Sequence, residues 1–290
     1  MNPASHAKRK QPQSPQQPMA VNVPHEAALT GTPQLGVTQF DAPAEVEATR
    51  GSQTHLEFLR HLHVTLMPRL YLEIGIRHGN SLVLATGKAV GVDPAPEIGT
   101  TLGPQFTVIQ ETSDQFFAGR ADELLQQPID LAFIDGLHLF EFALRDFINI
   151  ERRSHAATVV VFDDVFPAHP RQAQRDRATR VWTGDIWKIA GCLRQFRPDL
   201  VLIPLDTWPT GMLLVLGLDQ HRSELTEHYD SIVDEFVAKA DGTVPADVID
   251  RQGAWNPDDH RIAELLTQVR NNRQAVEPAK AMQSVLPSWR

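Results

Sequence analysis

The sequence predicts an α/β fold with a doubly wound, mostly parallel sheet of seven strands and one antiparallel strand near the C-terminal edge. Three observations lead to this prediction. Short apolar strands alternate with helical segments between residues 69 and 163, which is typical of a parallel sheet covered on both faces. A glycine turn follows the first strand. Two later apolar runs flank a short segment with hairpin chemistry, which favours one antiparallel strand.

The predicted elements follow one another from residue 53. Apolar residues at helical spacing favour a first helix over 53–66, and the later elements are assigned from the same periodicities. Strands are expected at 69–75, 89–93, 106–110, 130–135, 157–162, 200–205 and 212–217, and further helices at 80–89, 113–125, 140–152 and 185–197. A long loop over 165–183, rich in Pro, Arg and Gln, is expected above the carboxyl edge of the sheet.

The chain divides into three predicted regions. Residues 1–45 are rich in Pro and Gln, a composition that buries too little apolar surface to fold, so we expect a disordered tail. A docking segment for a partner enzyme is the alternative for this tail. Residues 50–220 carry the α/β pattern. Residues 221–290 show only modest apolar faces and are expected to form a helical extension.

Charge and cysteine content narrow the classes of partner. The chain of 290 residues has a formal net charge of -9, which argues against binding to a phosphate backbone. Cys192 is the single cysteine, so no intrachain disulfide can form and a reducing cytoplasm is expected. No apolar stretch reaches membrane-spanning length. We therefore expect a cytoplasmic protein that binds neither nucleic acid nor membrane.

The turn after the first strand has features of a ligand site. Gly75 and Gly79 allow the backbone to approach a ligand, and a following helix would offer free N–H groups. Asp93 ends the next strand, where a carboxylate can accept hydrogen bonds from ribose hydroxyls. Arg77 stands where a nicotinamide fingerprint requires glycine, which disfavours a dehydrogenase. An ordinary strand-to-helix turn is the alternative reading.

Acidic residues end the fourth and fifth strands. Asp135 follows the fourth strand, with His138 three residues later, and Asp163 and Asp164 follow the fifth. Parallel strands open on the same edge of a sheet, so these groups should converge where ligands bind. Their combined negative charge favours a divalent cation, and we expect Mg²⁺. Alternatively, the aspartates cap turns and His138 faces solvent.

These residues together resemble the motifs of class I S-adenosylmethionine-dependent methyltransferases. The resemblance covers about residues 70–218 and rests on Glu73-x-Gly75-x-x-x-Gly79, Asp93 and Thr112-Ser113-Asp114. It implies a Rossmann-like fold and makes 50–220 the S-adenosylmethionine-binding domain, with Glu73 at the methionine part, Asp93 at the ribose and Thr112 beside the adenine. The expected cofactor-binding residues are Glu73, Gly75, Gly79, Ser81, Asp93, Thr112, Ser113 and Asp135.

The acidic residues resemble those of metal-dependent small-molecule O-methyltransferases, both catechol-type and macrolide or aminocoumarin sugar-type. This resemblance implies Asp135, Asp163 and Asp164 as metal ligands. His138 stands where catechol-type enzymes have a catalytic lysine, and an imidazole with an ordinary pKa of about 6.5 can accept a proton. The implied function is metal-assisted O-methylation of a small-molecule hydroxyl, with His138 as the base.

Two alternatives of other classes stay open. One is another metal-dependent enzyme on the same fold, such as a hydroxylase, because fold alone does not fix chemistry. The other is a non-catalytic cofactor-binding partner protein. The sequence does not predict the methyl acceptor, and a homo-oligomer stays open. Trp182, at the end of the long loop, is a weaker candidate for lining the site, since large aromatics more often serve packing.

Overall fold

A seven-stranded sheet forms the centre of the computed structural model, which describes residues 42–289. Nearly all of the predicted tail, residues 1–41, lies outside the described residues. The strands are β1 Leu70–Ile74, β2 Lys88–Val92, β3 Phe106–Ile109, β4 Leu131–Ile134, β5 Val159–Phe162, β6 Val201–Leu205 and β7 Met212–Leu216. Their order is β3-β2-β1-β4-β5-β7-β6, and β7 runs antiparallel to both of its neighbours. The predicted fold class is confirmed.

The parallel register brings the ends of the central strands into one row. Gly75, Asp135 and Asp163 each directly follow a strand, and each donates its backbone N–H to the last residue of a neighbouring strand, at 2.8, 2.8 and 3.1 Å. These hydrogen bonds extend the sheet by one residue beyond the strands themselves. The predicted functional residues at the strand ends therefore lie side by side along the carboxyl edge.

Helices cover both faces of the sheet. They are α1 His55–Leu66, α2 Ser113–Gly119, α3 Ala121–Leu124, α4 Phe140–Glu151, α5 Lys188–Phe196, α6 Glu224–Glu227, α7 Tyr229–Val233, α8 Ala246–Ile249, α9 His260–Arg273 and α10 Pro278–Val285. One buried cluster joins α2, α4 and α5 to the sheet, and a second joins α1, α9 and α10 to its other face. The two apolar layers fix the sheet between them.

Local sequence signals explain where α1 and α2 begin. Thr54 caps α1 and Thr112 caps α2, each in a capping box with the residue three positions later, Glu57 and Gln115 respectively. Such boxes satisfy two of the backbone N–H groups that a helix end leaves without partners. The position of Thr112 before α2 therefore has a structural reason as well as the predicted functional one.

The predicted helix over 80–89 is wrong. Only a 3₁₀ turn, Leu82–Leu84, forms there, and β2 begins at Lys88. The chain must return along the full length of a five-residue strand, which spans about 16 Å. The eight residues between Gly79 and Lys88 would cover only about 12 Å as a helix. The segment forms only turns and this short 3₁₀ helix, so a long helix with a free amino end does not follow the glycine turn.

The C-terminal region packs on both layers. Phe236, in a π-helical turn at Asp234–Ala238, stacks on Phe140 at the start of α4, with ring centroids 5.2 Å apart. On the other face α9 packs against α1. The predicted division of the chain at residue 220 stays a prediction. Within residues 42–289, none of the helices combines the length and the apolar character needed to cross a bilayer.

Candidate active site

Asp135, His138 and Asp164 converge at the carboxyl edge of the sheet, and we call them the acidic cluster. The Nε2 of His138 lies 3.2 Å from the Oδ1 of Asp135, and its Nδ1 lies 2.9 Å from the Oδ2 of Asp164. One donor atom from each residue lies within 4.8 Å of the others, as a shared metal ion requires. A cleft of about 10 Å³ adjoins the cluster, which is room for roughly one water-sized particle.

The backbone at the cluster is held in an uncommon conformation. His138 and Asp164 have φ angles of 58° and 61°, in the left-handed region that residues with a side chain rarely adopt. Thr210 donates a hydrogen bond of 2.5 Å to the Oδ1 of Asp164, and the Nδ1 of His138 lies 2.9 Å from the carbonyl oxygen of Trp182. Such conformations persist where the surroundings impose them, and they concentrate at functional sites.

The neighbouring aspartates keep His138 protonated in the acidic cluster. Burial lowers the pKa of His138, but Asp164 and Asp135 outweigh it and raise that pKa well above the ordinary value. Burial opposes the charged form of Asp164, but His138 holds its pKa below the ordinary value. Burial raises the pKa of Asp135, although His138 acts to lower it. The imidazole of His138 therefore carries a proton in this state. A proton already occupies the nitrogen that would act as a base.

Asp163 lies behind the cluster. It is 7% exposed, and its Oδ1 accepts the backbone N–H of Asp164 at 3.0 Å. Burial raises the pKa of Asp163 well above its usual range, and the charges of Asp164 and Asp135 add to this effect. The group of three that could hold a metal contains His138 rather than Asp163. The structure thus brings Asp135 and Asp164 together, and the ligand role predicted for Asp163 stays a prediction.

The glycine turn packs directly on the acidic cluster. Gly75 has a φ of 84°, and a Cβ at this position would lie 2.0 Å from the carbonyl oxygen of Asp135. Only glycine permits this approach, so the turn after β1 and the end of β4 form one continuous surface. Gly79 lies further along the turn, where a Cβ would lie 2.7 Å from the side chain of Ile98.

Glu73 and Ser81 lie beneath this turn. The carboxyl group of Glu73 is fully buried, and it accepts hydrogen bonds from the hydroxyl of Tyr71 at 2.8 Å and from the hydroxyl of Ser81. Burial raises the pKa of Glu73 to about 8, although both hydrogen bonds act to lower it. Glu73 therefore tethers the turn to β1 and carries a proton near pH 7. Because the side chain is fully buried, a ligand cannot reach either of its oxygens in this arrangement.

Asp93 follows β2 and lies on the other side of the turn. Its Oδ2 accepts the backbone N–H groups of Ile76 and Arg77 at 3.0 and 2.8 Å, and its Oδ1 accepts that of Ala95 at 2.7 Å. A carboxylate offers about four acceptor sites, so three of them are engaged. Asp93 fixes the glycine turn, and a ribose hydroxyl would share the remaining capacity or replace a backbone donor.

Ser113, predicted to lie near the adenine, is close to Asp146, which borders the cleft at the acidic cluster. It is the first residue of α2, and it acts to lower the pKa of Asp146 in α4. Asp146 is 3% exposed and borders the small cleft, and burial raises its pKa to about 7. The sequence interpretation did not single out Asp146. An acidic residue next to Phe147, on the apolar side of a helix, was the available signal.

His55 is a second residue that sequence reasoning missed. It is the first residue of α1. Burial raises the pKa of Asp135, and the charge of His55 acts against this shift. Its Nδ1 is buried and has no hydrogen-bond partner among residues 42–289. No sequence motif marks this histidine. It lies before the first strand of the sheet, and only the folded structure brings it near Asp135 and Asp164.

The comparison with known families agrees with this geometry. Residues 72–165 match a family model described as a methyltransferase domain. The matched segment begins in β1 and ends just after β5, so it contains the glycine turn, Asp93 and the acidic cluster. The resemblance to methyltransferases is thereby confirmed for this segment. No curated protein sequence matches the chain.

Several solved structures are similar to this chain at low identity. Cofactor-bound Rv0187 from MTB is 17% identical, with a TM-score of 0.43 over 61% of this chain and 86% of that one. An O-methyltransferase from Bacillus cereus in complex with SAH is 18% identical, with a TM-score of 0.39 over 60% and 85%. SAH-bound methyltransferase PaMTH1 from Podospora anserina is 16% identical, with a TM-score of 0.44 over 57% and 78%.

Proposed function

We propose that this protein transfers a methyl group from S-adenosylmethionine to a hydroxyl oxygen of a small molecule, with help from a divalent cation at the acidic cluster. One observation carries the proposal: the glycine turn of the methyltransferase segment abuts Asp135, with the virtual Cβ of Gly75 only 2.0 Å from the Asp135 carbonyl oxygen. A methyl donor bound at the turn and an acceptor bound at the cluster would therefore meet at one edge of the sheet.

The donor set of the acidic cluster fits a divalent cation. Asp135 and Asp164 offer two carboxylates, and His138 or Asp163 offers the third donor. Oxygen ligands with retained waters suit Mg²⁺, whereas an added imidazole suits Mn²⁺ or Zn²⁺ as well. When bound, such an ion would stabilise negative charge on the acceptor oxygen. Mg²⁺ with the three aspartates is the arrangement we propose first.

His138 is proposed to take the proton from the acceptor hydroxyl. It lies between Asp135 and Asp164, and its side chain is 21% exposed, so a small molecule can reach it. The two carboxylates hold it protonated, and neutralising their charge would lower its pKa toward the range in which an imidazole accepts a proton. The reaction then transfers the methyl group to the acceptor oxygen, and the sulfonium becomes a neutral thioether.

The net charge of the chain and its single cysteine are consistent with a small-molecule acceptor in the cytoplasm. The net charge of -9 disfavours a polyanionic acceptor. Cys192 is buried, and burial raises the pKa of its thiol to about 12. A protonated thiol is a poor nucleophile, so this cysteine is assigned no part in the transfer.

One observation favours a non-catalytic cofactor-binding protein as the second candidate. Asp93 already accepts three backbone N–H groups, and Glu73 is buried with both oxygens engaged. A chain in which these contacts never open would keep the methyltransferase fold without turnover. Methyl transfer itself decides between the two candidates.

The test is an acceptor screen on the full chain. Catechols, glycosides and small hydroxy acids are each incubated with S-adenosylmethionine, and S-adenosylhomocysteine is measured with Mg²⁺, with Mn²⁺ and with excess chelator. The proposal predicts release that requires both an acceptor and a divalent ion. Release of equal size in chelator removes the cation from the proposal. Binding of S-adenosylmethionine without release for any acceptor favours the second candidate.

A further inference from the structure

Residues at the end of the long loop after β5 contact His138, and we call the segment Trp182–Asp185 the clamp segment. The carbonyl oxygen of Trp182 lies 2.9 Å from the Nδ1 of His138. The indole of Trp182 stacks on the imidazole, with centroids 5.2 Å apart and an angle of 16° between the planes. Asp185 donates its backbone N–H to the carbonyl oxygen of His138 at 3.2 Å. The clamp segment therefore contacts His138 at its ring and at its backbone.

Gly184 allows the clamp segment to pack closely against the backbone of His138. Its φ is 54°, and a Cβ on Gly184 would lie 1.8 Å from the carbonyl oxygen of His138. A side chain at this position would overlap the backbone of His138, so one of the two segments would have to move. His138 is itself in the left-handed region, with a φ of 58°. The two uncommon backbone conformations thus lie in direct contact.

The side chain of Asp185 anchors the clamp segment to the protein. It is 2% exposed, and its Oδ1 accepts the backbone N–H of Phe140 at 2.8 Å. Phe140 begins α4, whose N-cap residue makes no side-chain capping hydrogen bond, so Asp185 supplies that partner from a distant part of the chain. Its Oδ2 accepts hydrogen bonds from Arg175 at 2.8 Å and Lys188 at 2.9 Å. Both cations hold the carboxylate in place.

We propose that Trp182–Asp185 positions His138 at the acidic cluster, with Gly184 as the residue on which the fit depends. This inference rests on the proposed function for the role of His138 in the reaction. The contacts between the clamp segment and His138 do not depend on that function. None of these four residues needs to touch a substrate, so they are positioning residues. Groups that orient a ligand residue in this way commonly change metal affinity by about 10–100-fold when they are altered.

The first experiment compares two glycine variants. Gly184→Ala introduces a methyl group against His138, whereas Gly253→Ala introduces one at a φ of 75° with no atom within 4 Å. Both variants carry the same kind of backbone strain, so only the contact with His138 differs. The readout is the His138 ring resonance in spectra of the full chain, assigned by its loss in His138→Gln. We expect it to move in Gly184→Ala and to stay in Gly253→Ala, and equal spectra would overturn the proposal.

A second pair covers the case in which Gly184→Ala does not fold. Trp182→Leu removes the stacked indole, and Trp182→Phe keeps an aromatic ring. Trp182→Leu should shift the His138 ring C–H resonance downfield because the ring-current effect is lost, and Trp182→Phe should restore most of it. An unchanged resonance in Trp182→Leu would show that the stacking is absent and would refute the positioning role.

Titration with Mn²⁺ separates this inference from the proposed function. If His138 is a ligand of the ion, Gly184→Ala or Trp182→Leu should bind Mn²⁺ about 10–100-fold more weakly than the Gly253→Ala control. If His138 is the proton acceptor, the same variants should slow methyl transfer relative to that control and keep its Mn²⁺ affinity. If the unaltered chain binds no Mn²⁺, the cation in the proposed function fails, and the spectra alone decide the positioning role. If the resonance moves while Mn²⁺ affinity and methyl transfer stay unchanged, the clamp segment contacts His138 without serving the site, which overturns the proposal.

Discussion

The imidazole of His63 packs edge-on against the ring of Tyr71, with centroids 4.5 Å apart and planes at 85°. His63 is fully buried in α1, and neither of its ring nitrogens has a hydrogen-bond partner among the described residues. Burial lowers the pKa of His63 to about 4. The neutral ring is thus accommodated by the core, and the charged ring is not.

This contact predicts loss of stability in mild acid. His63 has a pKa near 6.5 in the unfolded chain and near 4 in the folded chain. The free energy of unfolding is therefore unaffected by protonation of His63 above pH 6.5 and decreases as the pH falls from 6.5 toward 4. Between pH 7 and pH 5 the loss amounts to about 2 kcal/mol. Urea unfolding at both pH values measures it, and His63→Leu should remove this part of the pH dependence. The exposed His260 gives the control variant, His260→Gln; equal effects of both variants would contradict the assignment.

Glu73 produces the opposite dependence on pH. Its pKa is raised to about 8 from 4.5, so the folded state holds a proton that the unfolded state has lost, and stability falls as pH rises through this window. The fall between pH 6 and pH 8 is about 2 kcal/mol. Glu73→Gln keeps the shape of the side chain and should flatten the curve in urea unfolding, whereas Glu264→Gln at the surface should not. A curve unchanged by Glu73→Gln would show that Glu73 is ionised in the folded protein.

Asp164→Asn tests the cation site directly. The amide keeps the volume of the side chain and can still accept from Thr210, but it removes one of the two carboxylates that flank His138. Mn²⁺ affinity should fall by more than about 100-fold, since even residues outside the ligand set change affinity 10–100-fold. Calorimetry with Mn²⁺ and, separately, with S-adenosylmethionine is the measurement. S-adenosylmethionine affinity should be nearly unchanged, and unchanged Mn²⁺ affinity would place the ion elsewhere.

Asp163→Ala addresses the third aspartate. We expect turnover to be lost while cofactor binding is largely kept, because Asp163 borders the cleft and contacts the backbone of Asp164. Single-turnover release of S-adenosylhomocysteine, measured alongside S-adenosylmethionine affinity, gives both quantities. Full turnover in Asp163→Ala would remove this residue from the site.

His138→Gln separates two roles for the histidine. As the proton acceptor, His138 should contribute about 10²–10⁴-fold to the rate, and its loss should leave Mn²⁺ affinity close to that of the unaltered chain. As a ligand, it should reduce Mn²⁺ affinity together with the rate. Single-turnover rates and Mn²⁺ titrations of the same preparation distinguish the two results, and an unchanged rate would exclude both roles.

Much of the fold could be predicted because its signals are local. The seven strands, the final hairpin and the long loop after β5 follow from apolar periodicity and turn chemistry. The helix predicted over 80–89 was wrong because propensity carries no information about the distance that the chain must cover. Only the assembled sheet shows that these residues must run back along β1.

The sequence predicted the site residues at the strand ends. It did not predict the residues that pack against them and hold them in place. Asp135, His138 and Asp164 come together because the register of parallel strands determines where the tips lie. Asp185 and Gly184 are distant from His138 in sequence, and nothing local marks their contact with it. His138, and not Asp163, completes the group of three, and both His138 and Asp164 have left-handed backbone conformations, which sequence patterns do not encode.

The glycine turn and the acidic cluster should together form one site for S-adenosylmethionine. Titration of S-adenosylmethionine into the full chain by calorimetry, with and without Mn²⁺, measures binding at this site. We predict one site with a dissociation constant between about 1 µM and 1 mM, the range of ordinary enzyme substrates, and weaker binding in Asp93→Ala. No heat of binding at millimolar S-adenosylmethionine in either condition would contradict the account.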